Sequence, residues 1–143
     1  MSRAAILDAL RADSAVTNLV PANNIFPNYA AEARPNNTSG EAFLILRWDG
    51  AESAVIFENK SRGPRTLTVW AHYPEERSTD YVRLETILNA VEKTLTGLEE
   101  VVGGDGYTIT SVQSTGSSGD LRDVSFRTIS KNMSFKVLSR ITT

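Results

Sequence analysis

Tyr81, Leu84, Leu88, Val91 and Leu95 recur at spacings of three and four, so a helix over residues 79–95 places all five on one face. Ser78 or Thr79 supplies its cap by accepting from a first-turn amide, Asp80 sits near the positive end of the helix dipole, and Gly97 stops it. A second apolar stripe, Ile6 and Leu10 with Leu7 beside them, predicts an N-terminal helix over residues 2–20 with Ser2 as its cap. Asp13 and Ser14 predict a break in that helix and a short restart carrying Val16, Leu19 and Val20, which Pro21 ends.

Elsewhere the helical period gives way to strand and turn patterns. Residues 43–48 are apolar except at Arg47, the pattern of a central strand. Asp49 and Gly50 tolerate positive φ and predict a hairpin turn, with residues 53–57 as the returning strand and 58–64 as a second turn or extended tip. In residues 65–72 Leu67, Val69 and Ala71 alternate with Thr66, Thr68 and Trp70, a third strand. After the long helix, residues 103–106 read as a glycine turn, 107–113 as a threonine-rich strand and 114–120 as a polar, mobile loop. Residues 124–129 and 134–141 read as a closing hairpin around Ser130, Lys131 and Asn132.

Ile25, Phe26 and Pro27 form an apolar anchor ahead of residues 28–41, a stretch rich in asparagine, proline, serine and glycine. A loop of that length in a compact domain either functions or is disordered. Helix, three strands, helix and about three more strands make an α+β pattern. The expected architecture is a mostly antiparallel or mixed sheet of about five to six strands with two main helices packed against it, in one domain over residues 1–143.

Composition narrows the function more than it defines it. Zero cysteines remove disulfides, thiolate nucleophiles and cysteine metal sites together. A net charge of −2 gives no global attraction to nucleic acid or anionic lipid. No apolar run approaches the roughly 20 residues that span a bilayer, and the charges near the N-terminus argue against a secretory signal, so synthesis in the cytosol is expected.

Candidate chemistry is sparse. His72, the one histidine, could serve as a general base oriented by Asp80, but no nucleophile motif accompanies it, and a packed strand-end histidine is the simpler reading. Asp105, or Asp120 with Asp123, offers oxygen ligands without the alternation of a calcium loop. Glu75 with Glu76, and Glu99 with Glu100, flank the long helix and solvate its ends. Neither a catalytic residue nor a cofactor or metal site is expected. Lys60, Arg62 and Arg65 surround one turn, with Trp48, Phe57 and Trp70 on neighbouring strands. That cluster fits either a nucleic-acid patch or a contact between subunits, where arginine is enriched. Asn36 and Asn37 in the long loop join it as candidate contact residues.

The layout resembles the tail-terminator and tail-completion proteins of long-tailed bacteriophages. Leu10, Asp13, Val16, Leu19, Val20, Ile25 and Phe26 are similar to the family's opening, a helix followed by an isoleucine-phenylalanine-proline turn. The strand from Thr66 to His72, the helix stripe from Tyr81 to Leu95, and the closing segments around Phe126 and Phe135 fall where that family places its own. The resemblance implies a non-enzymatic virion protein at the head-proximal end of the tail, assembled in the host cytoplasm. It implies a hexameric ring that caps the finished tube of the major tail tube protein and stops its polymerisation. The same ring receives a head-completion or neck protein and passes DNA through its lumen, with no membrane partner. Another neck or connector protein, a small nucleic-acid-binding module and an enzyme built on His72 are the alternatives.

Overall fold

Two long antiparallel ladders share one strand and organise the molecule. In the computed structural model, which describes residues 3–27, 41–49 and 64–142, the shared strand is Thr128–Ile141. In chain order the elements are α1 (Arg3–Ala12), α2 (Ser14–Thr17), a 3₁₀ turn (Ala22–Asn24), β1 (Ile25–Phe26), β2 (Phe43–Asp49), β3 (Arg65–Pro74), α3 (Tyr81–Thr96), β4 (Val101–Val102), β5 (Tyr107–Ser117), β6 (Leu121–Asp123) and β7 (Thr128–Ile141). They form a seven-stranded mixed sheet in the order β1-β2-β3-β7-β5-β4, with β6 also against β7. Among the described strands, only β1 and β2 run parallel. The α+β class and the two main helices are as expected. The strands that periodicity could not find, β1, β4 and β6, are two or three residues long.

Strand alternation divides the sheet into two unlike faces. One carries Leu44 and Leu46 of β2, Leu67, Val69 and Ala71 of β3, Ile129, Met133, Phe135 and Val137 of β7, and Ile109 and Val112 of β5. These meet Leu84, Ile87, Leu88, Val91 and Leu95 of α3 and Ile6, Leu10 and Val16 of the N-terminal helices in one buried cluster. The other face carries Phe43, Ile45 and Arg47, then Thr66, Thr68, Trp70 and His72, then Thr128, Ser130, Asn132, Ser134 and Lys136. Burial with helices on one side and a mixed polar-aromatic face on the other accounts for the strict alternation of β3.

The N-terminal break falls where aspartate allows it. Asp13 is extended (φ −82, ψ 118), and its Oδ1 accepts from the Ala15 amide at 2.8 Å to cap α2. Its second oxygen accepts from Thr94 Oγ1 at 2.8 Å, which ties the start of α2 to the end of α3.

Several expectations are corrected. The cap of α3 is Asp80, whose Oδ1 accepts from the Val82 amide at 3.0 Å, while Ser78 Oγ accepts from the Asp80 amide at 3.1 Å. Gly97 does follow the helix, but with φ −81 it uses none of glycine's left-handed freedom. Among the described strands β2 lies between β1 and β3, second from an edge, while β3 and β7 are at the centre. Residues 114–117 belong to β5 and not to a loop, because pairing with Phe135, Ser134 and Met133 of β7 carries the polar segment along. The closing hairpin turns at residues 124–127, and β7 passes unbroken through Ser130, Lys131 and Asn132. Those polar residues look like a turn in the sequence but find partners on α3 and in the segment between β5 and β6. Lys131 Nζ reaches Asp120 at 3.0 Å and Glu85 at 3.5 Å, and the Asn132 amide donates to Ser118 Oγ at 3.0 Å. The expected Ser2 cap, the returning strand 53–57 and most of the long loop (residues 28–40) lie outside the described residues. The strand that pairs with β2 along its whole length is β3.

Candidate functional site

His72 projects from β3 onto the face of the sheet away from α3, and its neighbours decide what it can do. Its ring stacks on Phe43 (centroids 4.8 Å apart, planes 6° apart), and Phe126 closes edge-on at 5.2 Å. Nδ1 lies 2.8 Å from Thr128 Oγ1, and only 2% of the residue is exposed. Burial lowers its pKa to about 4, against a smaller opposing pull from Asp123. The ring is therefore neutral at pH 7, enclosed and committed to one hydroxyl. Asp80, which the sequence offered as its orienting acid, caps α3 instead. This is a packing histidine.

The acids have structural duties. Glu75 receives Arg122 through two hydrogen bonds, 2.8 and 3.0 Å, and that guanidinium holds its carboxyl below the ordinary range. Glu100 accepts from Arg140 at 2.9 Å. Asp105 accepts from the Ala4 amide in the first turn of α1, and Asp123 accepts from the Phe126 amide within the β6–β7 turn. Asp120 binds Lys131, which raises that lysine's pKa. Among the described residues no group of three or more His, Cys, Asp or Glu is placed to hold a metal ion.

Two of the hollows in the described surface lie beside these residues. One, about 240 Å³, lies on the polar-aromatic face between Ile45, Arg47, Trp70, His72, Asp123 and Phe126. The other, about 360 Å³, lies beside α1 and is lined by Arg3, Ala4, Leu7, Pro27, Leu46, Trp48 and Asp105. The Trp48 ring in this second hollow faces two guanidinium groups, Arg65 at 5.3 Å and Arg3 at 5.9 Å from its centroid.

Of the residues singled out in the sequence as contact candidates, Lys60, Arg62, Asn36 and Asn37 lie outside the described residues. Arg65 is described and is buried, 7% exposed, against Trp48. Trp48 and Trp70, grouped in the sequence as one aromatic set, stand on opposite faces of the sheet, since Trp48 is opposite Leu67 and Trp70 opposite Ile45. The sequence reading missed the polar-aromatic face. Its signal was present in the alternate positions Thr66, Thr68, Trp70 and His72.

No family model matches the chain, and no curated protein is similar to it in sequence. Among solved structures, a chain from the virion of a native gene transfer agent particle has the same fold. The two superpose with a TM-score of 0.73 at 15% identity, over 97% of this chain and 94% of the other. At that identity the likeness is one of fold.

Proposed function

We propose that this chain is a structural virion protein of a long-tailed phage or phage-like particle, acting through contacts with other subunits and not through chemistry. The observation that carries the reading is the end-to-end match in fold to a chain of a gene transfer agent virion. The engagement of His72, Asp105, Asp120 and Asp123 in packing, capping and ion pairing agrees with it.

Within that class we propose the tail terminator, a ring that caps the finished tube, halts its growth and presents the head-joining surface. The order of elements, a broken N-terminal helix, the β2–β3 pair, α3 and the closing strands, supports the narrower reading. Lys60, Arg62, Asn36 and Asn37 are the proposed contact residues, and Arg65 contributes by holding Trp48 in place.

Light scattering on the purified protein, followed by negative-stain imaging of the main peak with and without tail tubes, tests the proposal. Hexamer-sized rings with a central hole, or caps on tube ends, are expected. A monomer that binds no tail tube overturns the terminator reading. Binding to the neck without the tube assigns the chain to a connector instead.

A further inference from the structure

Asp123 lines the hollow on the polar-aromatic face, and only half of its carboxylate is used. Oδ1 accepts from the Phe126 amide at 2.9 Å and fixes the β6–β7 turn, while among the described residues no hydrogen bond or ion pair engages Oδ2. Trp70 and His72 form an aromatic floor, their rings 6.3 Å apart and inclined by 23°, and Phe126 stands nearly perpendicular to His72. Asp123 lies toward the Pro74 end of β3, and Arg47 toward the Thr68 end.

A carboxylate set among aromatic rings is a receptor for a cation, because charge and ring quadrupoles attract it together and partial exclusion of water strengthens both. The neighbouring charges do not cancel this one. Arg47 is paired with Asp49 at 3.0 Å, and burial keeps His72 neutral at pH 7. Arg122 projects from the other side of β6 and binds Glu75 through two hydrogen bonds.

Size and surroundings select a protein side chain over a free small cation. Pockets that enclose whole small molecules run to roughly 300–1,000 Å³. This one, about 240 Å³, suits a single anchor. Leu121, on the same face of β6 as Asp123, and Val124, the next residue in the chain, are 38% and 74% exposed. Exposed apolar side chains around a pocket for one charged anchor are the arrangement of a protein contact. Arginine fits better than lysine, since its planar, weakly hydrated guanidinium packs on an indole and still has donors for a carboxylate.

We propose that this hollow receives an arginine side chain of a partner subunit, with the guanidinium bonded to Oδ2 of Asp123 and packed against Trp70. The cation site stands on its own geometry. Naming a subunit as the source rests on the reading of this chain as a virion protein that acts through contacts.

Acetylated arginine amide, titrated into the full chain at pH 7 while the Trp70 indole N–H is followed by NMR, tests the site. It is expected to shift that signal and to bind at least about tenfold more tightly than the citrulline analogue, which has a similar shape without the charge. Asp123→Asn keeps the acceptor for the Phe126 amide and is expected to weaken binding at least about tenfold. Asp105→Asn, in the other hollow, is expected to leave binding unchanged. No shift, equal binding of citrulline, or binding that survives Asp123→Asn overturns the site. Tighter binding of acetylated lysine amide or of spermidine overturns arginine as the ligand. Light scattering and sedimentation with tail tubes then compare the association of wild type and Asp123→Asn. The variant is expected to keep its far-UV circular dichroism and to associate at least about tenfold more weakly. Arginine binding without that loss overturns the partner subunit as the source and leaves the virion reading standing. A chain that binds arginine but associates with nothing, tubes and necks included, overturns the virion reading and the source together.

Discussion

Nδ1 of His72 lies 2.8 Å from Oγ1 of Thr128, across the ladder that joins β3 to β7 beside the β6–β7 turn. The ring is sealed between Phe43 and Phe126, so protonation would put a charge among apolar rings with a single hydroxyl to solvate it. A histidine that is buried and neutral makes folding depend on pH in a range where most carboxylates do not titrate.

The sign follows from the direction of the shift. The folded pKa is lowered from 6.5 to about 4, so the unfolded chain binds the proton first. This contribution to stability is fully present above pH 6.5 and is lost as pH falls toward 4, by on the order of 3 kcal/mol in total. Asp13, held low by the Thr94 hydroxyl, and Glu75, held low by Arg122, add losses only below their ordinary values of 3.8 and 4.5. Urea denaturation at a series of pH values should show a decline between pH 6.5 and 4.5 that His72→Gln removes. A wild-type curve that is flat over that interval would contradict the placement of the ring.

The cap of α3 gives a test with three neighbouring residues. Asp80→Ala removes the acceptor of the Val82 amide and is expected to cost about 1 kcal/mol. Ser78→Ala, which loses only the bond from the Asp80 amide, is expected to cost less, and Thr79→Ala close to nothing. Thermal melts of the three variants would reverse that order if Thr79 were the cap.

The stripe from Tyr81 to Leu95 was plain in the sequence because burial of one helix face writes a 3.6-residue period directly into residue type. The α2 restart was equally legible, since Asp13 carries its mechanism in its own side chain. What was hidden depends on partners distant in the chain. Nothing near Lys131 shows that Asp120 and Glu85 will receive its ammonium, so a polar triplet in mid-strand read as a turn. Nothing within residues 114–117 shows that β7 will hold them extended. The candidate site was less legible than the fold. The contact between Arg65 and Trp48 is hidden in the sequence, because 17 positions separate them and the pairing of Trp48 with Leu67 brings them together.

The continuity of β7 can be tested by proline. Lys131 sits opposite Ala71 between two neighbouring strands, β3 on one side and the β5–β6 region on the other. Lys131→Pro removes a mid-sheet donor and breaks the ion pairs to Asp120 and Glu85, and the variant is expected to be unfolded or destabilised by about 3 kcal/mol or more. Had residues 130–132 formed a hairpin turn, proline there would cost little. Circular dichroism and a urea midpoint distinguish the two.

Arg65 and Arg62 belong to one cationic cluster in the sequence but are expected to behave differently when removed. Arg65 is 7% exposed, and its guanidinium stands 5.3 Å from the centre of the Trp48 ring. Arg65→Ala therefore strips aliphatic packing as well as a cation–π contact, and the isolated chain should lose about 1–2 kcal/mol of stability. Arg65→Lys, which keeps a cation but not the broad, weakly hydrated guanidinium, should recover only part of that loss. If Arg62 is a contact residue between subunits, Arg62→Ala should leave the urea midpoint of the monomer unchanged and weaken ring formation. Deleting residues 36–40 in the same background should weaken it further. Assembly at the wild-type midpoint concentration after all these changes would remove Arg62, Asn36 and Asn37 from the contact, and an unchanged monomer midpoint in Arg65→Ala would show that the Trp48 stack carries no stability.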